Sequence, residues 1–229
     1  MSRNVGSAPI QGGYIEIPCH AGDTGTTQYF DERIEYGGVE VDWATLIASA
    51  KTGGSRTEND VKIGFVTTNT TNKWTYLERG SLRFDTSLIP AGATIISAKI
   101  RVVGHYKAND GNNNPDINLF NISRDNNYTY GTTPLATAIS YGSWNIAGNN
   151  DFTLNAAGLA EIVTGGKTYI GVRNANYDAA ATSPTWVLSA NAAVYFWSAD
   201  YGQPPLLMVT YAAVGKGTKY LNGYRTGLV

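Results

Sequence analysis

The feature that most constrains this chain is a two-residue alternation of apolar and polar side chains, repeated in short runs. It is clearest in SLRFDTSL and AKIRVVGHY, and INLFNI, KTYIGVRN, AAVYFWSA and LLMVTYA carry the same pattern. A period of two sends successive side chains to opposite faces, so each run reads as a strand with one face buried. Between the runs stand IPAGAT, KANDGNNNPD, TTPL, IAGNND and YGQPP, whose Gly, Pro, Asn and Asp residues supply turn chemistry at short intervals. Many short strands so punctuated specify a sandwich or barrel rather than βαβ units. The expectation is an all-β chain: an antiparallel β-sandwich of the jelly-roll kind with one or two short helices.

Two stretches break the alternation and read as those helices. VDWATLIASAKTGG has Asp42 as cap, apolar residues at helical spacing and Gly53-Gly54 as stop; LNAAGLAEIVTGG has Asn155 as cap and Gly165-Gly166 as stop. A length of 229 residues suits one large β domain with small additions. Three regions are expected: an irregular N-terminal section over 1–60 with a short helix and inter-subunit contacts, a sandwich over 61–212, and a basic tail over 213–229.

Composition narrows the function classes. Only 15% of residues are charged while 42% are hydrophobic and 11% aromatic, which excludes a disordered chain and leaves Asn, Ser, Thr, Gly and Tyr to cover the surface. Such a surface meets other subunits without the cost of desolvating charges. A formal net charge of -1 and a pI near 6.1 provide no global attraction to nucleic acid or anionic lipid, so neither is an expected partner. The tail AVGKGTKYLNGYRTGLV is locally basic through Lys216, Lys219 and Arg225, as a docking tail would be. A single cysteine, Cys19, excludes an intrachain disulfide. MSRNVGSAPIQGGYIEIP has no apolar run of signal-peptide length, and no stretch is long and apolar enough to span a bilayer. Cytoplasmic synthesis with an extracellular-looking composition fits a part of a lytic-phage virion, released by lysis.

The segment RGSLRFDTSLIPAGATIISAKIRV resembles DNRLRE-type jelly-roll domains, in which an Arg-containing strand leads to a Phe-Asp pair, a Pro-Gly turn and an Ala-Lys strand. VYFWSADYGQPPLLMVTY is similar to the end of that family: a Ser-Ala-Asp loop, prolines, and a last strand closing on Val-Thr-Tyr. DFTLNAAGLAEIVTGGKTYIGVRN looks like its linking helix and next strand, as in phage structural proteins, so the resemblance covers roughly Gly80 to Tyr211. It implies a cell-surface, secreted or virion setting and sometimes carbohydrate recognition. In the motif itself Leu82 and Phe84 should face the core, Arg83 and Asp85 should point outward or cap the next turn, and Pro90 with Gly92 should reverse the chain.

Candidate chemistry is sparse. His20 and His105 are the two histidines, neither in a catalytic motif, and the adjacent Cys19-His20 pair would face opposite sides of a strand. Glu16, Glu32, Glu35, Glu58, Glu78 and Glu161 could supply a carboxylate pair only if the fold assembled one. Asp110, Asn112, Asn114 and Asp116 put oxygen-bearing side chains at every second residue, a weak candidate for a calcium loop, because such an Asn/Asp/Gly cluster is more often simply a tight hairpin turn and lacks the closing bidentate Glu. Trp74, Tyr76, Trp144, Tyr177 and Trp186 lie beside polar loop-like sequence and are candidates for stacking on sugar rings, though core and subunit-contact roles draw on the same residue types. The expected function is a non-enzymatic structural protein of a tailed-phage virion (capsid decoration, fibre base or tail surface component). Its partners would be its own copies, other virion proteins and a surface glycan. The alternative is a carbohydrate-binding module for adhesion. No cofactor is expected beyond the calcium candidate.

Overall fold

The computed structural model describes residues 12–19, 31–49, 54–55, 59–123 and 129–213, with the backbone alone for 31–34 and 54–55. His20, Glu58, the side chain of Glu32, Gly53 and the tail cations Lys216, Lys219 and Arg225 lie outside what is described. The chain begins with strands β1 (Gly12–Pro18) and β2 (Asp31–Val41), helix α1 (Trp43–Ser49), and strands β3 (Gly54–Ser55), β4 (Asp60–Thr67) and β5 (Trp74–Asp85). Next come β6 (Thr94–Asn109), β7 (Ile117–Ser123), β8 (Thr129–Pro134) and β9 (Asn149–Thr153), then helix α2 (Ala156–Ala160). Strands β10 (Lys167–Asn174), β11 (Asn191–Trp197) and β12 (Leu206–Ala212) complete it.

The molecule is an antiparallel all-β sandwich, and two corner strands make it one. β6 is 16 residues long. Its first half pairs with β12, and over 99–103 with β9, in a sheet ordered β1-β12-β6-β9; its second half pairs with β11 in the opposing sheet. β5 forks in the same way. β2 runs along one of its edges, while β4 and then β10 share the other, β4 opposite Trp74 to Glu78 and β10 opposite Gly80 to Asp85. Gly80 stands at this fork, where a Cβ would lie 3.0 Å from Val61, 3.1 Å from Ile63 and 3.2 Å from Val172. β10, β7 and β8 extend the second sheet beyond it.

Between the sheets lies the main core: Ile17, Leu82, Phe84, Ile100, Leu119, Phe152, Ile170, Phe196, Leu207 and their neighbours, all buried. Each comes from the apolar face of an alternating run, as the two-residue period requires. A smaller cluster packs Trp43 and Leu46 of α1 on Phe65, Trp74 and Leu77. Trp43 meets Phe65 and Trp74 edge-on, with centroids 5.4 and 5.7 Å away. Asp42 caps α1 by accepting from the Thr45 amide at 2.9 Å, and Asn155 caps α2 by accepting from the Gly158 amide at 3.0 Å. Both helices form where expected, and both are short: seven and five residues.

Two local expectations need correction. The described residues of the N-terminal section are strands as well as a helix: β1 zips along β12 from Gly12 opposite Ala212 to Pro18 opposite Leu206, burying Ile17, and β2 lines β5. Arg83 does not point outward. It is buried, because β5 has a covered layer on both faces, with Gly80, Leu82 and Phe84 toward the main core and Arg79, Ser81 and Arg83 on the other side. Asp85 does cap the following turn, accepting from the Ser87 amide at 3.1 Å.

The second layer is organised by charge. Asp178, 2% exposed, is held by two guanidinium forks. Arg79 donates to its oxygens at 2.8 and 2.6 Å, and Arg173 at 2.9 and 2.8 Å. Burial alone would raise the Asp178 carboxyl; the Arg173 hydrogen bonds and the Arg79 charge outweigh it and hold the group ionised below its usual range. On the outer face of the first sheet, Arg101 donates to Asp151 at 2.7 and 2.8 Å and Lys99 at 3.0 Å. The Arg101 hydrogen bonds bring Asp151 down to about 2 against partial burial, with Lys99 assisting.

Removing the central carboxylate in Asp178→Ala leaves two guanidinium groups buried against one another, at an expected cost of about 3–5 kcal/mol. Urea unfolding measures it, and an unchanged midpoint would show that the cluster holds nothing together. For Asp151 the folded value lies below the ordinary 3.8, so its stabilisation is complete above 3.8 and is lost as pH falls through about 2. Stability of the parent should therefore fall more steeply than that of Asp151→Asn between those values, and parallel acid titrations of the two proteins would contradict this.

Candidate functional site

The outer face of the second sheet carries a row of aromatic rings built by two strands and one turn. In β11, Val194 and Phe196 point into the core, so Tyr195 and Trp197 point out. Opposite them β6 has a bulge: the register shifts between Tyr195, paired with Tyr106, and Phe196, paired with Gly104. The extra residue is His105, and a bulge of this kind turns consecutive side chains toward one face. His105 accordingly stacks on Trp197 with centroids 3.7 Å apart and planes 15° from parallel. Trp197 stacks in turn on Tyr201, 3.8 Å and 11°, which a helical turn ending at Gly202 brings back over the strand. Tyr106 meets Tyr195 edge-on at 5.1 Å, and Tyr195 meets His105 at 6.0 Å. Gly202 adopts φ 81°, the left-handed conformation that favours glycine, and so reverses the chain directly after Tyr201.

Each basic side chain along the row has a carboxylate beside it. His105 Nε2 lies 3.2 Å from Asp60 Oδ2, and Lys62 Nζ lies 2.6 Å from Glu78 Oε2. The Lys62 ammonium sits 5.7 Å from the Tyr195 centroid, supporting that ring. Tyr106 and Tyr201 are 52% and 48% exposed, while Tyr195, Trp197 and His105 are partly covered by their neighbours. Tyr201 has one face against Trp197, so its exposed area is the other face and the hydroxyl end.

The aromatic residues singled out from sequence are elsewhere. Trp74 and Trp144 are each 3% exposed, the first in the smaller cluster and the second in the main core, so neither ring face can meet a sugar. Tyr177 packs edge-on to Phe65 at 5.7 Å and donates its hydroxyl to the Asn113 carbonyl; burial raises that phenol above its usual value. Trp186 is half-buried against the same cluster. Tyr76 lies so close over Gly37 that a Cβ there would be 2.0 Å from its ring. These five do not form one surface; the row does, and of its members sequence reading had noted only His105, as one of two histidines.

The calcium candidate resolves into a hydrogen-bonded turn. Asp110 Oδ2 accepts from the Asn191 amide at 3.1 Å and Asp116 Oδ1 from the Tyr141 amide at 3.0 Å. Asn114 Oδ1 accepts from Asn109 Nδ2 at 2.9 Å, and the left-handed φ values of Asn112 and Asn114 are those of a tight reversal. The oxygens are directed to separate parts of the fold, and among the described residues no group of three or more His, Cys, Asp or Glu side chains could hold a metal. Of the carboxylates, Glu35 and Glu78 stand opposite each other in the β2–β5 ladder, but the Glu78 side chain is 3% exposed and bonded to Lys62. Glu16 accepts from the Tyr14 hydroxyl at 2.6 Å on the other sheet, and Cys19 is buried.

No family model matches the chain, and no curated protein does.

A loop whose oxygens already receive amide protons gains little from a cation. Adding about 1 mM calcium, or a chelator, should move the thermal midpoint by less than about 1 °C. A rise of several degrees with calcium would instead show Asp110, Asn112, Asn114 and Asp116 to be ligands.

Proposed function

We propose that the chain is a non-enzymatic structural protein of a tailed-phage virion, a surface component of capsid or tail that assembles with its own copies through its terminal segments. The observation that carries this reading is the pairing of Gly12 with Ala212. Gly12 and Ala212, to which residues 1–11 and the basic stretch 214–229 are joined in sequence, therefore lie side by side at one edge of the first sheet. The edge strand there is β1; among the described residues its far side meets another strand at the Pro18 end, where Cys19 bridges Phe84 of β5, and is otherwise unpaired. An exposed edge of backbone donors and acceptors is a natural place for a neighbouring chain to add. The surface, poor in charge and rich in amide and hydroxyl groups, suits repeated subunit contacts. The resemblance of Gly80 to Tyr211 to DNRLRE-type domains of phage structural proteins supports the same setting. The aromatic row favours a second reading, a carbohydrate-binding module for adhesion to a glycan surface; the two are compatible because row and edge belong to different sheets.

Light scattering on the full chain should give the mass of a defined symmetric multimer, and a version trimmed to 12–213 should fall to the monomer mass with its β-sheet circular dichroism intact. A full chain that is monomeric at every concentration tested would sink the assembly reading.

A further inference from the structure

We infer that the row Tyr106–Tyr195–His105–Trp197–Tyr201 is a binding site for an uncharged polysaccharide, with the open faces of Tyr106 and Tyr201 as the stacking surfaces. This rests on the second reading above and is independent of the assembly reading. A pyranose ring has a flat face of C–H groups that packs on an aromatic face, and a rim of hydroxyls that needs donors and acceptors close by. The row supplies both, since each of the two half-exposed rings carries its own hydroxyl at its polar end.

Charge decides the class of ligand. The Lys62 ammonium is already engaged by Glu78 at 2.6 Å, and His105 has Asp60 beside it at 3.2 Å. Asp60 lies at one end of the row and Asp200 is next to Tyr201. Among the described residues no spare positive charge is offered to a phosphate, sulfate or uronate at the row, and the flanking carboxylates repel one. A nucleic acid, which also stacks on aromatic rings, is disfavoured for the same reason. A neutral hydroxyl-bearing chain pays no such penalty.

The rings are also held in place before any ligand arrives. Trp197 is clamped between His105 and Tyr201, the bulge fixes His105, and Lys62 supports Tyr195 from its ion pair. A rigid platform loses little side-chain freedom on binding, which is where weak sugar contacts usually lose their affinity. Trp197 makes the site observable, because a ligand seated on Tyr201 changes the environment of the indole stacked beneath it.

The test is electrophoresis of the full chain through native gels containing dextran, yeast mannan, galactan or mixed-linkage β-glucan, together with tryptophan emission on titrating the retarding polymer. At least one polymer should retard the parent, and Tyr106→Ala with Tyr201→Ala should weaken that binding by about tenfold or more. Tyr76→Ala, outside the row, should leave it unchanged. Retardation by none of the four would overturn both the proposal and the glycan reading behind it. Retardation that persists in the Tyr106/Tyr201 double variant would keep the glycan reading and overturn the site. A double variant that instead lowers the mass in solution would show the row to be an interface between copies, and would overturn the proposal as well.

Discussion

Two arginines closing on one buried aspartate hold the second layer of this molecule to its first. Burying three charged groups costs several kcal/mol per ion unless their hydrogen bonds are met, and here the forks of Arg79 and Arg173 occupy both Asp178 oxygens. The same guanidinium groups reach the carbonyls of Ile47, at 3.3 Å, and Gly131, at 2.8 Å. Tyr130 lies beside both of them, with its hydroxyl bonded to the Gly80 carbonyl at 2.9 Å. Strands β5, β8 and β10, helix α1 and the turn at Asp178 thus converge on one carboxylate. Apolar side chains could fill the same volume, but they would not set the relative positions of five elements through directed bonds.

That convergence explains why β5 can serve as a corner. A strand with solvent on one side needs only one apolar face, whereas Leu77 to Phe84 has to be acceptable to two interiors. Apolar Leu82 and Phe84 satisfy one, and the paired arginine satisfies the other. Gly80, without a side chain, lets Val61, Ile63 and Val172 approach where β4 gives way to β10. Because β4 leaves β5 there, Asp60 and Lys62 come beside Tyr195 and Trp197 of β11, and the aromatic row acquires its charged supports.

The sandwich was legible because burial on one face writes itself into the sequence with a period of two, as in Ala98, Ile100 and Val102 or Leu207 and Val209. The N-terminal strands were less so. Ile15 and Ile17 alternate with Tyr14 and Glu16, but the partner that makes them a strand lies at the other end of the chain, and pairing over that distance leaves no local mark. Arg83 was misread for a related reason: alternation tells which residues share a face, not whether the polar face meets water or a second layer. Trp74 and Trp144 were chosen for their polar neighbours, and the fold turned those rings inward. AAVYFWSA did contain the better clue, since Val194 and Phe196 facing in force Tyr195 and Trp197 out. What no pattern could give was the bulge at His105, which completes the stack.

β6 links the two surfaces that matter. Its first half lies in the sheet at whose edge Gly12 pairs with Ala212, and carries Lys99 and Arg101 against Asp151; its second half carries His105 and Tyr106 into the aromatic row. A continuous strand is stiff, so copies joined at the terminal edge would display their rows at fixed spacing and orientation. Contacts of a few rings with a neutral sugar chain are weak singly, but a repeated display makes each later contact intramolecular and multiplies the strength of attachment without adding any contact. On this geometry the proposed assembly and the proposed glycan binding would not be rival uses of the fold, because the first would supply copies that strengthen the second.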